Sequence, residues 1–489
     1  MSYTVYPVQK HEIECADYKV YLDGRELPLN TARVSKVPFN RRWPGHQRPV
    51  DQTELVSFLS MSASEPLDFE VELPQSTESV VIRPISLGIE PVLSKNGKCV
   101  SFRLEKPAYF TLEPYGREKA LHFFVDEEAV FLPESEHIIR FAPGIHNVGT
   151  LRLESNTTIL IEAGAVVYGS IRADDADNIR IVGQGILDGS HNKETILFDV
   201  ADYGNLADVG NAERTHTIHL AFCRHVLIDG ITIRDPLMYN ISSYGCDDYI
   251  VRNVKIIGSW RYNSDGIDFH NDTNVTVEHC FVRTFDDCIC VKGAANDDLM
   301  HNGMPYSSAR HIRVRNCVLF NDWGKCLEIG AGTRAKEICD VVFESCDIIH
   351  VCHPALDALD VHYADIHDVA YRNINIEMEE HVAEPRIQLA DDECYEDGGH
   401  FGFCLFAAEV ACHPEYSKGV DKRGRIHDIT VENIAVYGSY KPAVWISGYD
   451  EEHGCSEITL RNITWNGEHF ADSDALRFRN GFHKNVVIE

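Results

Sequence analysis

Three aspartates have the spacing for joint chemistry. Asp265, in Asn263-Ser264-Asp265-Gly266, stands 21 residues before the adjacent Asp286 and Asp287, which open Asp286-Asp287-Cys288-Ile289-Cys290-Val291-Lys292. The surrounding chain repeats with a similar period, so in a coiled, stacked chain the three acids fall on neighbouring turns of one surface. Paired carboxylates a few ångströms apart are the usual machinery for cleaving a glycosidic bond. If the acids converge, mutual repulsion raises the proton affinity of one of them and makes a general acid available near neutral pH. Adjacent residues on a regular strand face opposite ways, so Asp286 and Asp287 share a cleft only where the chain bulges or turns. The competing reading is a solvated turn, as for Asp174-Asp175, Asp247-Asp248 and Asp297-Asp298. Gly266, which permits close backbone approach, and the apolar run after Asp287 favour a site.

The elements that must position these acids are repeated strands. From about Phe141 onward, alternating apolar segments recur, among them Ile179 to Gly183, Val226 to Ile233 and Tyr249 to Ile256. Others start near Asn274, His311, Val341, His367, His427 and Glu457. Spacings of 24 and 25 residues (Val226 to Ile250 to Val275) recur, with larger gaps as loop insertions. Such a period with strand alternation and no helical periodicity predicts a parallel β-solenoid whose coils stack about 4.8 Å apart and share one core. Asn253, Asn316, Asn373, Asn433 and Asn462 mark the tight turn after one strand of a coil, since Asn tolerates left-handed backbone; they are structural. Residues 1–140 read instead as short strands with hairpin signals at Asp23-Gly24 and Asn96-Gly97, a small β-sandwich of structural or capping role, with carbohydrate binding as the alternative. The expectation is all-β: a sandwich at 1–140 and a solenoid at 141–489.

The 489 residues carry a net charge of −31. That field disfavours nucleic acid, acidic membrane surfaces and polyanionic substrates. Sixteen scattered cysteines without a CxxC pair read as buried free thiols. The first residues lack a secretory pattern and no apolar run reaches membrane-spanning length, so a cytoplasmic location without membrane partners is expected. Phosphate loops are absent. His350, His353, His362 and His367 lack a zinc-like partner set and are explained better as polar ladders, so neither metal nor cofactor is expected.

At the aspartate motifs the chain resembles the polygalacturonase family, glycoside hydrolase family 28, and its clan relative, the dextranase and isopullulanase family 49. The shared signature is Asn-Thr-Asp-Gly followed by Asp-Asp-Cys-(Val/Ile)-x-(Val/Ile)-Lys, here Asn263 to Gly266 and Asp286 to Lys292. Leu187-Asp188-Gly189 after Gly183-Gln184-Gly185 adds to the likeness, which covers roughly residues 135–489. A sandwich ahead of the helix is more like the dextranase-type arrangement. The resemblance implies a right-handed parallel β-helix and an inverting hydrolase. Asp286 would be the general acid, with Asp265 and Asp287 activating water. Inversion asks for about 6.5–9.5 Å between acid and base, which adjacent coils can supply.

Two departures bear on substrate. Lys325 stands where polygalacturonases carry the His of Gly-His-Gly, and Asp357-Ala358-Leu359-Asp360-Val361-His362 stands where they carry Arg-Ile-Lys. Acids in place of cations remove the charge-assisted pair that selects a uronate, so a neutral, α-linked oligosaccharide or polysaccharide is expected. The expected substrate-binding set is Asn263, Lys292, Trp323, Lys325, Glu328, Asp360 and His362. The insertions Gly293 to Ala309 and His381 to Gly424, the latter with Glu393, Tyr395, Glu396, Asp397 and His400, are either groove walls or contacts of a homo-oligomer. A polysaccharide lyase or sugar epimerase, with Lys325 as base, and a non-catalytic carbohydrate-binding solenoid are the rivals.

Overall fold

Each coil of the solenoid is shaped by residues that accept left-handed backbone. Asn253, Asn316, Asn373, Asn433 and Asn462 all have φ between 52° and 57°, and the side-chain amide of Asn462 donates to Asn433 Oδ1 (2.7 Å), as Asn433 does to Asn373 (3.0 Å). A second left-handed residue per coil opens the same strand: Asn178, His225, Asp248, Asn274, His311, Asp340, Asp368, Asp428, Glu457 and Asn485. That residue is skipped by the pairing, so Asp177 and Ile179 pair with Arg224 and Val226, which in turn pair with Asp247 and Tyr249.

The computed structural model describes the chain except residues 1–2, 11, 13, 37–40, 43–49, 132–134, 136, 191–215, 295–299, 302–303, 306, 353, 379–386, 389–403, 415 and 472–474. From His137–Phe141 onward the strands wind as a right-handed parallel β-helix with three strands per coil. The first sheet carries an inward ladder, Ile179, Val226, Tyr249, Val275, Ile312, Val341, Val369, Ile429, Ile458 and Val486. The expected equivalence of Val226 with Ile250 is therefore off by one: Ile250 pairs with Leu227 and Tyr249 fills the core position. The third sheet stacks Ile218, Ile241, Ile267, Ile289, Leu327, Leu356, Phe406 and Val444. All these side chains except Val486, which packs half-buried against its end, sit in one continuous apolar core, together with Cys223, Cys246, Cys280, Cys317 and Cys346. Every described cysteine is a free thiol, ten of them buried.

The N-terminal strands form two sheets packed face to face over Val20, Leu59, Phe69, Val71, Phe102, Phe110 and Phe123. The Asp23-Gly24 hairpin forms with both residues at positive φ (52° and 71°). The turn before Cys99–Leu104 is longer, with only Gly97 left-handed and Ser94 bonded to Cys99. This sandwich lies along the second sheet of the helix. Val34, Val56, Phe58 and Phe124 close over Val166, Ile257, Phe281, Phe320 and Ile349, which explains the apolar residues on that sheet's outer face. Buried ion pairs cross the same seam, Lys255 with Asp126 (3.0 Å) among them. The three aspartates lie in the turns that lead into the third sheet.

Candidate active site

The acids occupy the turns that lead from the second to the third sheet on successive coils, 258–266 and 285–288, with 322–326 next. Asp265, Asp287 and Lys325 each stand two residues before the paired Ile267, Ile289 and Leu327, so they form one row across three coils. Main-chain bonds fix it: Gly266 N–H donates to the Asp287 carbonyl (2.8 Å) and Cys288 N–H to that of Lys325 (2.8 Å). The adjacent acids share one side because the chain turns there. Thr284 Oγ1 and Asn321 Nδ2 both donate to the Asp286 carbonyl (2.6 and 2.7 Å). Gly324 backs the turn so closely that a Cβ on it would come within 2.5 Å of Asp286 C and Asp287 N.

Carboxylate oxygens of Asp265, Asp286 and Asp287 lie within 4.8 Å of one another. Asp265 and Asp286 are buried and Asp287 is half-buried. The separation is below the expected 6.5–9.5 Å, because residues on stacked coils are held to the strand spacing of about 4.8 Å. Asp286 Oδ2 accepts the Asn263 main-chain N–H (3.1 Å) and its Oδ1 that of Asp287 (3.2 Å). Asn263 thus contributes backbone, at φ 53°. Asp287 Oδ1 accepts the Lys325 N–H (2.9 Å).

Two lysines face the acids, and each is already paired. Lys292 Nζ lies 2.9 Å from Asp265 Oδ2 and 3.3 Å from Asp268 Oδ1. Lys325 Nζ bonds Glu328 Oε1 (2.6 Å) and also Asp357. Asp268, Cys290, Glu328 and Asp357 are consecutive partners on the third sheet, a row of acids and one thiol along the helix axis. Cys290 donates to Glu328 Oε2 (3.5 Å). Asp268, Cys290 and Asp357 belong to this surface although sequence reasoning did not select them. The available signal was the alignment of Ile267-Asp268-Phe269, Ile289-Cys290-Val291, Leu327-Glu328-Ile329 and Leu356-Asp357-Ala358, in which the middle residue always faces outward.

Burial is the main cause that lifts Asp265 to about 8; Lys292 opposes the rise and Asp268 adds to it. Burial and then the charges of Glu328, Asp286 and Asp265 hold Asp287 well above the usual carboxylate range. Burial also opposes ionisation of Glu328, but the Lys325 ammonium outweighs it and keeps that carboxyl down at about 2. Burial disfavours the charge on Lys325 as well, yet Asp357 and Glu328 keep its proton bound well above the ordinary lysine range. The cluster therefore stores protons on carboxyls and charge on the lysines.

Asp360 and His362 do not join this surface. Asp357 faces outward, so Asp360, three residues along the same strand, points to the other side. There it is fully buried, accepting the Thr333 hydroxyl and the N–H groups of His362 and Gly424 (both 3.0 Å). His362 Nδ1 accepts the Thr333 N–H (3.1 Å). Both residues brace the end of a coil. Trp323, beside Gly324, stacks on Phe285 (5.5 Å, 9°) within a cluster that includes Tyr262 and Cys352. Glu393, Tyr395, Glu396, Asp397 and His400 lie outside the described residues, as does His353.

Residues 137–386 match the model of glycosyl hydrolases family 28. The chain belongs to this family. Among family-28 and related proteins, a dextranase of Arthrobacter sp. (strain CB-8) is 26% identical over 172 residues, 32% of this chain and 26% of the relative. A Vitis vinifera protein described as a "probable polygalacturonase" is 22% identical over 140 residues, 27% of this chain and 28% of the relative. The chain thus spans about a quarter of the length of the curated relatives it matches. Dex49A from Penicillium minioluteum superposes with a TM-score of 0.59 at 14% identity, covering 98% of this chain and 96% of that one, which shows a shared fold.

Proposed function

We propose that this family-28 chain is an inverting glycoside hydrolase acting on a neutral, α-linked oligosaccharide or polysaccharide. The observation that carries the hydrolase reading is the convergence of Asp265, Asp286 and Asp287, with carboxylate oxygens within 4.8 Å of one another; the inverting part rests on the family resemblance. Asp286, fixed by two main-chain N–H groups, donates a proton to the leaving oxygen. Asp265 and Asp287 are close enough to grip one water between them and activate it. Because carboxylates this close cannot all ionise, the cluster carries protons at neutral pH.

The paired lysines support a neutral sugar. Lys292 is already held by Asp265 and Asp268, and Lys325 by Glu328 and Asp357, so neither ammonium is left to pair with a uronate. The same pairing weakens the lyase and epimerase readings, since a base must lose its proton and Lys325 holds its own tightly. Sugar binding alone would not require three clustered carboxyls.

A second assignment of roles exchanges Asp286 and Asp287. The raised proton affinity of Asp287 suits a donor, and the two N–H groups on Asp286 suit a carboxylate. Glycosyl fluorides separate the two, because fluoride leaves without acid help. With the sugar selected from a panel of neutral and uronic oligosaccharides, the acid variant retains activity on the fluoride and loses it on the natural linkage. Asp286→Asn is expected to behave so, and Asp287→Asn to lose both. The opposite outcome exchanges the roles, and full activity in both variants ends the three-aspartate reading.

A further inference from the structure

On the outer face of the first sheet, remote in the coil from the three aspartates, a thiol, an imidazole and a carboxylate meet. Cys339 pairs with His367 on the next coil, and Glu337 lies two residues before Cys339 on the same face. Donor atoms of the three lie within 4.8 Å of one another, all half-buried.

Their hydrogen bonds aim the donors inward. Asp368, at φ 53°, accepts from His367 Nδ1 at 2.7 Å. With that proton on Nδ1, the lone pair of Nε2 faces Glu337 Oε2 at 3.8 Å. A lone pair against a carboxylate is repulsive, so this pair calls for either a second ring proton or a metal cation between the two atoms. Glu337 Oε1 is taken up elsewhere, by the Ser308 hydroxyl at 3.3 Å with Arg310 at 4.0 Å, which leaves Oε2 directed at the imidazole. A carboxylate holding the far nitrogen of a ligating histidine is the usual outer support of a metal site.

We infer that Cys339, His367 and Glu337 form a binding site for a divalent metal ion of the zinc type, with Asp368 as the supporting carboxylate. Tetrahedral zinc with bonds of about 2.0–2.3 Å asks for donors roughly 3.3–3.7 Å apart, which these side chains reach by closing about 1 Å. The His367 ring also stacks on His427 of the next coil (5.1 Å, 6°), whose nitrogens are occupied by Asp428 (2.6 Å) and Asp365 (2.8 Å). That stack fixes the plane of the ligand ring. Metal binding displaces the Cys339 thiol proton to solvent and ties two coils together.

Cobalt(II), titrated into the full chain without competing thiols, tests the site. One equivalent is expected to bind with a thiolate-to-cobalt charge-transfer band in the near ultraviolet, and zinc should displace it. Cys339→Ser removes the band, and Asp368→Asn weakens binding by about 10–100-fold. Cys412→Ser, which alters the exposed thiol among the described residues, leaves both unchanged. If Cys339→Ser fails to fold by circular dichroism, His367→Ala and Glu337→Gln carry the test, each with at least about tenfold weaker binding. The inference is overturned if the native chain gives no thiolate band, if the band survives Cys339→Ser, or if affinity ignores His367→Ala. Each of these leaves an imidazolium–carboxylate pair in place of a metal site.

Discussion

Lys292 reaches back one coil and places its ammonium 2.9 Å from Asp265 Oδ2. Burial alone would drive Asp265 still further toward the neutral acid, and the ammonium is what restrains it at about 8. Lys292→Met removes the restraint, so the Asp265 carboxyl rises above about 8. If Asp265 must be ionised to activate water, the acidic limb of the kcat/KM profile moves to higher pH and activity at pH 6 falls. The profile of the variant checks this; an unmoved limb would separate Asp265 from that step.

Gly324 is the backing of the aspartate turn. A methyl group there meets Asp286 C and Asp287 N at 2.5 Å and Asp287 Oδ1 at 2.7 Å, and it can be accommodated only by pushing the pair outward. Displacements near 1 Å cost on the order of 100-fold in rate. Gly324→Ala should therefore lose about 100-fold in kcat while circular dichroism and the cysteine core remain native. Activity within a few-fold of the parent would show that the turn's position matters little.

The sandwich supports the site through Arg117, which donates to the Asn321 carbonyl at 2.8 Å, while Asn321 holds the Asp286 carbonyl. Arg117 also lies 3.8 Å from Asp322, which is fully buried with Arg283 at 3.6 Å. Arg117→Met removes one of the two cations beside Asp322 and leaves Arg283 in place, so the cost stays below the roughly 3–5 kcal/mol of a buried charge left unpaired. A lowered unfolding midpoint in denaturant together with reduced kcat is expected. A purely stability effect, with kcat intact in the folded variant, would detach the sandwich from catalysis.

Asp272 is fully buried, accepting the Cys246 N–H at 2.6 Å and the Ser243 hydroxyl. Burial raises it to about 8, whereas an unfolded Asp titrates near 3.9. The folded state therefore holds a proton that the unfolded chain releases. Its contribution is complete below about pH 4 and is lost as pH rises to about 8, by up to roughly 1.4 kcal/mol per pH unit. The melting temperature of the parent should fall relative to Asp272→Asn between pH 5 and pH 8. A constant or reversed difference contradicts the assignment.

The solenoid was readable because its turn residues announce themselves: Asn253, Asn316, Asn373, Asn433 and Asn462 are left-handed in the structure. Register was less readable. The left-handed residue that opens each first-sheet strand, such as His225 or Asp248, is skipped by the pairing, and counting from it displaced Ile250 by one position. The same alternation explains Asp360: Asp357 is the outward residue of that strand, so Asp360 turns inward, away from any sugar. Rows such as Asp268, Cys290, Glu328 and Asp357 depend on how much chain each coil spends in loops. The grip of Arg117 on Asn321 joins residues 204 apart, and no local pattern records it.

The most direct test of the proposed mechanism follows the anomeric configuration of the first product by proton NMR, on the oligosaccharide that the enzyme cleaves. Asp286 protonating the leaving oxygen while Asp265 and Asp287 activate one water predicts a sugar released with inverted configuration and no unsaturated product. Retained configuration would make one of the three a nucleophile, as carboxyl separations near 5 Å allow. An unsaturated product would contradict hydrolysis altogether.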